Sequence, residues 1–199
     1  MRLPSSAHYS RPWRIHELTP DFQLEDVWAL PTPGGPDDFP RLVALFAARD
    51  PERDSTGVTG LLMAVRMRLG TLFGWDDADA GLGTRVPSLR DRLPADLREV
   101  PVPDADGLPF KPVYLLDDES AAEIANRTVH GVVHLGWVRD GSGSHRGQLA
   151  VLVKRNGLLG AGYLAAIKPI RHLIVYPAML RAIDREWRAR IEHQSSPPA

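Results

Sequence analysis

Two histidines four residues apart, His130 and His134, are the first pair in this 199-residue chain that could do chemistry together. On a helix that spacing is a familiar metal chelate. Here the pair stands in Val129-His130-Gly131-Val132-Val133-His134-Leu135-Gly136-Trp137-Val138, whose period-two alternation of branched and aromatic residues predicts a strand. At ~3.3 Å per residue, the two Cα atoms of a strand lie roughly 13 Å apart, so the histidines cannot hold one ion together. They do share a face. The opposite face, with Val133, Leu135 and Trp137, is more apolar, so simple alternation turns the histidines toward solvent. If their face instead looks into a cavity, both become acid–base candidates; a one-residue bulge would reverse the assignment beyond it.

The other candidates are few. His172 and Tyr176 are spaced one helical turn apart, and each could present a polar tip to a cavity or sit at the boundary of an amphipathic helix. Arg171 beside them reads as solvated. Asn126 suits a turn, or a polar anchor for a ligand, and Glu123 is similar. Gly157-Leu158-Leu159-Gly160-Ala161-Gly162 follows a strand, but its spacing is G-x-x-G-x-G and no parallel βαβ unit surrounds it, so a nucleotide site is not indicated. The aspartates of Asp76-Asp77-Ala78-Asp79 lack the register and closing glutamate of a calcium loop. No serine lies in a G-x-S-x-G elbow. The sequence therefore names no catalytic residue, no metal site and no cofactor; its ligand-binding candidates are Asn126, His130, His134, His172 and Tyr176.

Composition sets the outer limits. A hydrophobic share of 43% with 25% charged residues suits a soluble domain with a real core. A formal net charge of −1 gives no electrostatic footprint for nucleic acid. With no cysteine, thiolate catalysis, disulfides and cysteine-ligated zinc are excluded. Met1 to Ser10 is polar and no stretch approaches the ~20 apolar residues of a membrane span, so a cytoplasmic location is expected.

The elements that must position these residues can be read in order. Leu24 to Leu30 predicts a strand stopped by Pro31. A short helix follows over Pro40 to Arg49, and a longer one opens at Ser55 or Thr56, with Val58, Leu61, Leu62, Val65, Leu69, Leu72 and Phe73 at helical spacing. Trp75 to Pro112 holds one compact helical candidate, Ser88 to Leu97, with Ser88 and Asp91 resembling a capping box. It otherwise covers the core, contributes an edge strand near Thr84 to Val86, or forms a lid. Glu119 to Asn156 predicts three successive antiparallel strands, preceded by Val113 to Leu116, in a meander. A helical region then runs nearly to the end, with Ile170, Leu173, Ile174, Leu180, Ile183, Trp187 and Ile191 at threes and fours. Pro177 either kinks it or marks a junction of two helices. The class is α+β, as one domain over 1–199, with 1–20 and 194–199 peripheral.

That order, with Asn156-Gly157 feeding the last helix, resembles the helix-grip fold of the START-like, polyketide-cyclase-like (SRPBCC) superfamily. The runs Asp26-Val27-Trp28-Ala29-Leu30-Pro31, Asn126-Arg127-Thr128-Val129-His130-Gly131 and His134-Leu135-Gly136-Trp137 are similar to those of a bacterial branch of unknown function. The resemblance implies a curved antiparallel sheet wrapped around the C-terminal helix, two short helices after the first strand, and an apolar cavity, but transfers no catalytic motif. Three expectations follow. The first is a binding module for a small apolar or amphipathic molecule. The second is a cyclase- or dehydratase-type enzyme, which needs two of His130, His134, His172 and Tyr176 to converge on a common point. The third is a partner-binding or structural protein, which needs Trp13, Phe22 and Trp28 exposed as a patch.

Overall fold

The computed structural model describes residues 1–47, 82, 86–102, 110–125, 129–155, 168–169 and 171–195. Five strands form one open antiparallel sheet in the order β1-β5-β4-β3-β2: β1 is Gln23–Ala29, β2 Lys111–Leu115, β3 Glu119–Ala125, β4 Val129–Arg139 and β5 His145–Arg155. The last four make the meander read from the sequence, and β1 returns to the free edge of β5. The β4–β5 reversal falls in the Asp140 to Ser144 segment, where the Asp140 carboxylate accepts from the Ser142 amide and hydroxyl and Gly143 takes a φ of +91°, a conformation that suits glycine. With the C-terminal helix and the short early helices, the class is α+β.

Each face of the sheet is covered. On one lie two single-turn helices, α1 (Ser6–Tyr9) and α2 (Ile15–Leu18), and, from the later stretch, a 3₁₀ turn (Leu89–Arg92) and α4 (Ala95–Arg98). Their Trp13, Ile15, Leu18, Leu89, Leu93 and Leu97 pack against Val132, Val138, Ala150 and Leu152. On the other lie α3 (Phe39–Ala47) and the long α5 (Tyr176–Ser195). Their Phe39, Leu42, Met179, Ile183 and Trp187 meet Trp28, Leu135, Trp137 and Leu149. The first twenty residues, read from the sequence as peripheral, thus supply one core layer. Burying each such side chain is worth about 1.5–3 kcal/mol, so this segment carries part of the fold. Residues 1–3 also bond β1's outer edge, Leu3 N–H to Val27 C=O at 2.8 Å and Ala29 N–H to Met1 C=O at 2.8 Å.

One helical expectation is corrected and another is resolved. Ser88 to Leu97 is not one helix, because Leu93 precedes Pro94 and is extended at φ −60°, ψ 129°, as the residue before a proline prefers. Ser88 does cap the turn, accepting from the Arg90 amide. Of the two readings for the C-terminal helix, the junction of two helical segments is the one seen: a π turn, Arg171–Val175, gives way to α5 at Tyr176, one residue before Pro177. That wider turn accommodates Pro177, which has no N–H for the carbonyl one turn back. The helix expected after Ser55, the Asp76 to Asp79 run, Thr84 and the Asn156 to Gly162 stretch lie outside the described residues. No helix among the described residues is long and apolar enough to cross a membrane.

Candidate functional site

Strand β1 carries a bulge. Leu24 pairs with Leu152 while Asp26 pairs with Val151, leaving Glu25 as the extra residue. In regular alternation Asp26 would share the face of Leu24, which packs in the α1–α2 layer; the bulge turns Asp26 and Trp28 to the α5 side instead. There the π turn and the first residue of α5 bring three donors to one carboxylate. His172 Nε2 lies 2.7 Å from Asp26 Oδ1, the Tyr176 hydroxyl donates to Oδ2 at 2.9 Å, and Arg171 forms an ion pair with Oδ2. The same Arg171 amino group also donates to the Tyr176 oxygen at 3.1 Å. Arg2 stands 3.7 Å from Oδ1.

The cluster is enclosed but not sealed. The Asp26 side chain is 1% accessible, whereas those of Arg171 and His172 keep 13% and 19%. Two guanidinium groups face one carboxylate, so the opening is electropositive. Burial pushes the Tyr176 phenol up, against the pull of Arg171 and with help from Asp26, so it stays a hydroxyl donor. Burial opposes the charge of Arg171, but Tyr176 and Asp26 outweigh it and hold that pKa up. The Trp28 ring lies 4.7 Å from Tyr176 and 6.1 Å from His172. Its buried indole N–H has no partner among the described residues.

The opposite face holds a second polar system. On β4, His130 and His134 are buried, which overturns the expectation that their face is solvated. Alternation identified the shared face correctly but could not show that α1, α2 and the Leu89–Arg98 stretch cover it. Each histidine is paired diagonally with a glutamate of β3: His130 Nε2 to Glu123 Oε2 at 2.7 Å, and His134 Nε2 to Glu119 Oε2 at 2.8 Å. Glu123 also accepts from the Ser88 hydroxyl and from the Leu89 amide at 3.0 Å, tying the 3₁₀ turn to the sheet. Glu119 accepts from the Tyr114 hydroxyl at 2.7 Å and the Arg14 amide at 2.8 Å. Burial works against both carboxylates, yet these donors hold each below the ordinary range.

Of the sequence candidates, the structure therefore brings His172 and Tyr176 together, on Asp26, and places His130 and His134 on the other side of the sheet, each with its own glutamate. No three-residue metal grouping of these types occurs among the described residues. Asn126 lies outside the described residues. Arg171, expected to be solvated, is mostly buried in its ion pair. Trp13, Phe22 and Trp28 are all buried, so they form no exposed patch. Sequence reasoning missed Asp26, His8 and His16. For Asp26 the only signal is an acidic residue inside an apolar strand run. Glu119 and Glu123 had a clearer one, since their four-residue spacing matches that of His130 and His134 across a short reversal.

No curated protein and no solved structure matches this chain. A family model described as a protein of unknown function (DUF2867) matches residues 18–178, a span that includes Asp26, both Glu–His pairs, Arg171, His172 and Tyr176, and the chain belongs to that family.

Proposed function

We propose that the protein binds a small amphipathic molecule between β1 and the start of α5, with an anionic head against Arg171, His172 and Arg2 and an apolar part against Trp28 and Tyr176. The observation that carries this reading is the convergence of Arg171, His172 and Tyr176 on the buried Asp26. A carboxylate satisfied by three donors fixes those side chains in place before any ligand arrives, which lowers the ordering cost of binding. It also leaves excess positive charge at the outer side, where an anion gains charge-assisted hydrogen bonds. The apolar surface that the head would lie beside is the aromatic layer between sheet and helix. The likeness of the chain's order to the START-like helix-grip superfamily, and the antiparallel sheet with a C-terminal helix packed on it, support the same reading.

A specific observation favours a second reading, acid–base catalysis of the cyclase or dehydratase type. His172 presents Nε2 to Asp26 at 2.7 Å, the arrangement in which a carboxylate fixes an imidazole tautomer and leaves Nδ1 to take a proton. The partner-binding reading rested on exposure of Trp13, Phe22 and Trp28 and loses its support with their burial. Native mass spectrometry of the purified protein, followed by titration with dodecanoate and dodecanol, tests the binding reading. We expect stoichiometric binding with dodecanoate favoured at least tenfold, and loss of that preference in Arg171→Gln. Absence of binding by both compounds would refute it.

A further inference from the structure

Four groups on the α1–α2 side of the sheet form one continuous line that the proposed ligand site does not use. His16 Nε2 lies 3.1 Å from His8 Nδ1, His8 Nε2 lies 3.2 Å from His134 Nδ1, and His134 Nε2 lies 2.8 Å from Glu119 Oε2. The three imidazoles sit on α2, α1 and β4, and the carboxylate on β3. His16 is half-buried, while His8, His134 and Glu119 are buried. We infer that this line is a proton-operated latch, which holds residues 1–22 on the sheet when its histidines are neutral and lets that segment lift away on acidification.

The proton count follows from the link geometry. A neutral imidazole donates once and accepts once. With Glu119 ionised, His134 must donate from Nε2, which leaves its Nδ1 to accept from His8 Nε2, and His8 Nδ1 to accept from His16 Nε2. Every link is then satisfied with three Nε2–H tautomers, and the carboxylate sets the direction of all of them. One added proton is tolerated, at the outer Nδ1 of His16. A second one exceeds the one proton that each link can hold, so two donors face each other in one link and that link breaks. The break falls either between α2 and α1 or between α1 and β4, within the line that holds residues 1–22 to the sheet.

The other charged and titratable groups around the line do not relieve this. Glu119 is already committed to His134, Tyr114 and Arg14. Arg14 is itself held by Glu17 and Asp96, and Asp118 stands near Glu119 and His134. Tyr9 lies beside His8 and His16, and from β5 the neutral Gln148 bonds Ala7 C=O at 3.3 Å. Consistent with the geometry, burial first, and then His134 and His16, push His8 down to about 3, and burial lowers His16 as well. For a base whose folded pKa is depressed, the lifted state binds more protons. The latch is therefore intact above the ordinary histidine value of about 6.5 and weakens as pH falls below it.

The magnitude is readable. For each proton taken up only in the lifted state, moving from pH 7 to pH 5 raises that population about 25-fold. Hydrogen exchange of the whole chain, read by peptide mass spectrometry and divided by the intrinsic rate at each pH, tests this. Amides in residues 1–22 should gain about 25-fold or more in exchange between pH 7 and 5, while those of β4 and β5 stay protected. His8→Gln, which is neutral throughout, should flatten that response, and His16→Gln should reduce it, so either variant suffices if the other fails to fold. Unchanged protection of residues 1–22 at pH 5, simultaneous opening of the whole sheet, or a wild-type response in the variants that fold would each overturn the latch.

Discussion

Replacing Asp26 by asparagine keeps the side-chain volume and removes one charge, so it isolates the electrostatic part of the β1–α5 junction. In the native site both carboxylate oxygens accept, Oδ1 from His172 and Oδ2 from Arg171 and Tyr176. An asparagine can turn its oxygen to the Arg171–Tyr176 side and its amide to His172, whose ring can shift tautomer to accept. What it cannot supply is the negative charge opposite Arg171, which is 13% accessible. Removing one partner of a buried ion pair costs about 3–5 kcal/mol. Residual solvent access and the Arg171 guanidinium lying 5.7 Å from the Tyr176 ring centre place Asp26→Asn at the low end, about 3 kcal/mol, or a melting-temperature drop of roughly 6–12 °C for a chain of this size. Arg171→Gln should cost a similar amount for the converse reason. The double variant should cost about 3–4 kcal/mol rather than the sum, a coupling of about 2 kcal/mol. Urea unfolding of the four proteins measures all of it. A cost below about 1 kcal/mol for Asp26→Asn, or additivity in the cycle, would refute the idea that the cluster is one electrostatic unit.

The rest of the structure yields further outcomes. Gly136→Ala should destabilise by about 1–3 kcal/mol, because a Cβ there would lie 2.8 Å from the Trp13 ring; thermal melts and a changed tryptophan emission check it. Ser88→Ala removes both the cap of the 3₁₀ turn and a donor to Glu123 and should cost about 1–2 kcal/mol by urea unfolding. Tyr114→Phe deletes a buried donor to the Glu119 carboxylate and should cost about 1.5–3 kcal/mol in the same assay. Stability should also fall in two stages on acidification. The first begins below about pH 6.5, where His8 must charge. The second begins below about pH 4.5, where Glu119 and Glu123, whose folded pKa values are depressed, lose stability as they are protonated. A pH series of urea midpoints should show both, with the first reduced in His8→Gln.

Much of the framework was legible because it depends on local pattern. Strand periodicity gave β4 close to its observed bounds, and the span Glu119 to Asn156 held β3 and β5 as well, with the reversal at Asp140 to Ser144 where glycine and small polar residues cluster. The site was harder for three physical reasons. Alternation says which residues share a face but not what covers it, and much of the covering layer came from residues 1–22, whose two single-turn helices carry no periodic signal. A bulge at Glu25 turned Asp26 to the other side of β1, and nothing in Leu24-Glu25-Asp26-Val27 announces it. The meeting of β1 with the π turn joins residues about 145 positions apart, and a single sequence does not specify such a contact. His172 and Tyr176 were recognised by their helical spacing, whereas the acid that joins them was not.

In the proposed complex a ligand's head meets Arg171 and His172 beside Trp28. Heteronuclear NMR of the protein titrated with dodecanoate tests it most directly, since the indole N–H of Trp28 gives its own resonance and has no partner among the described residues. Binding there should give saturable shifts of that resonance and of the amides of Asp26 and Arg171–Tyr176, with the His130 and His134 amides unmoved. Shifts confined to the histidine face, or none at saturating dodecanoate, would contradict it.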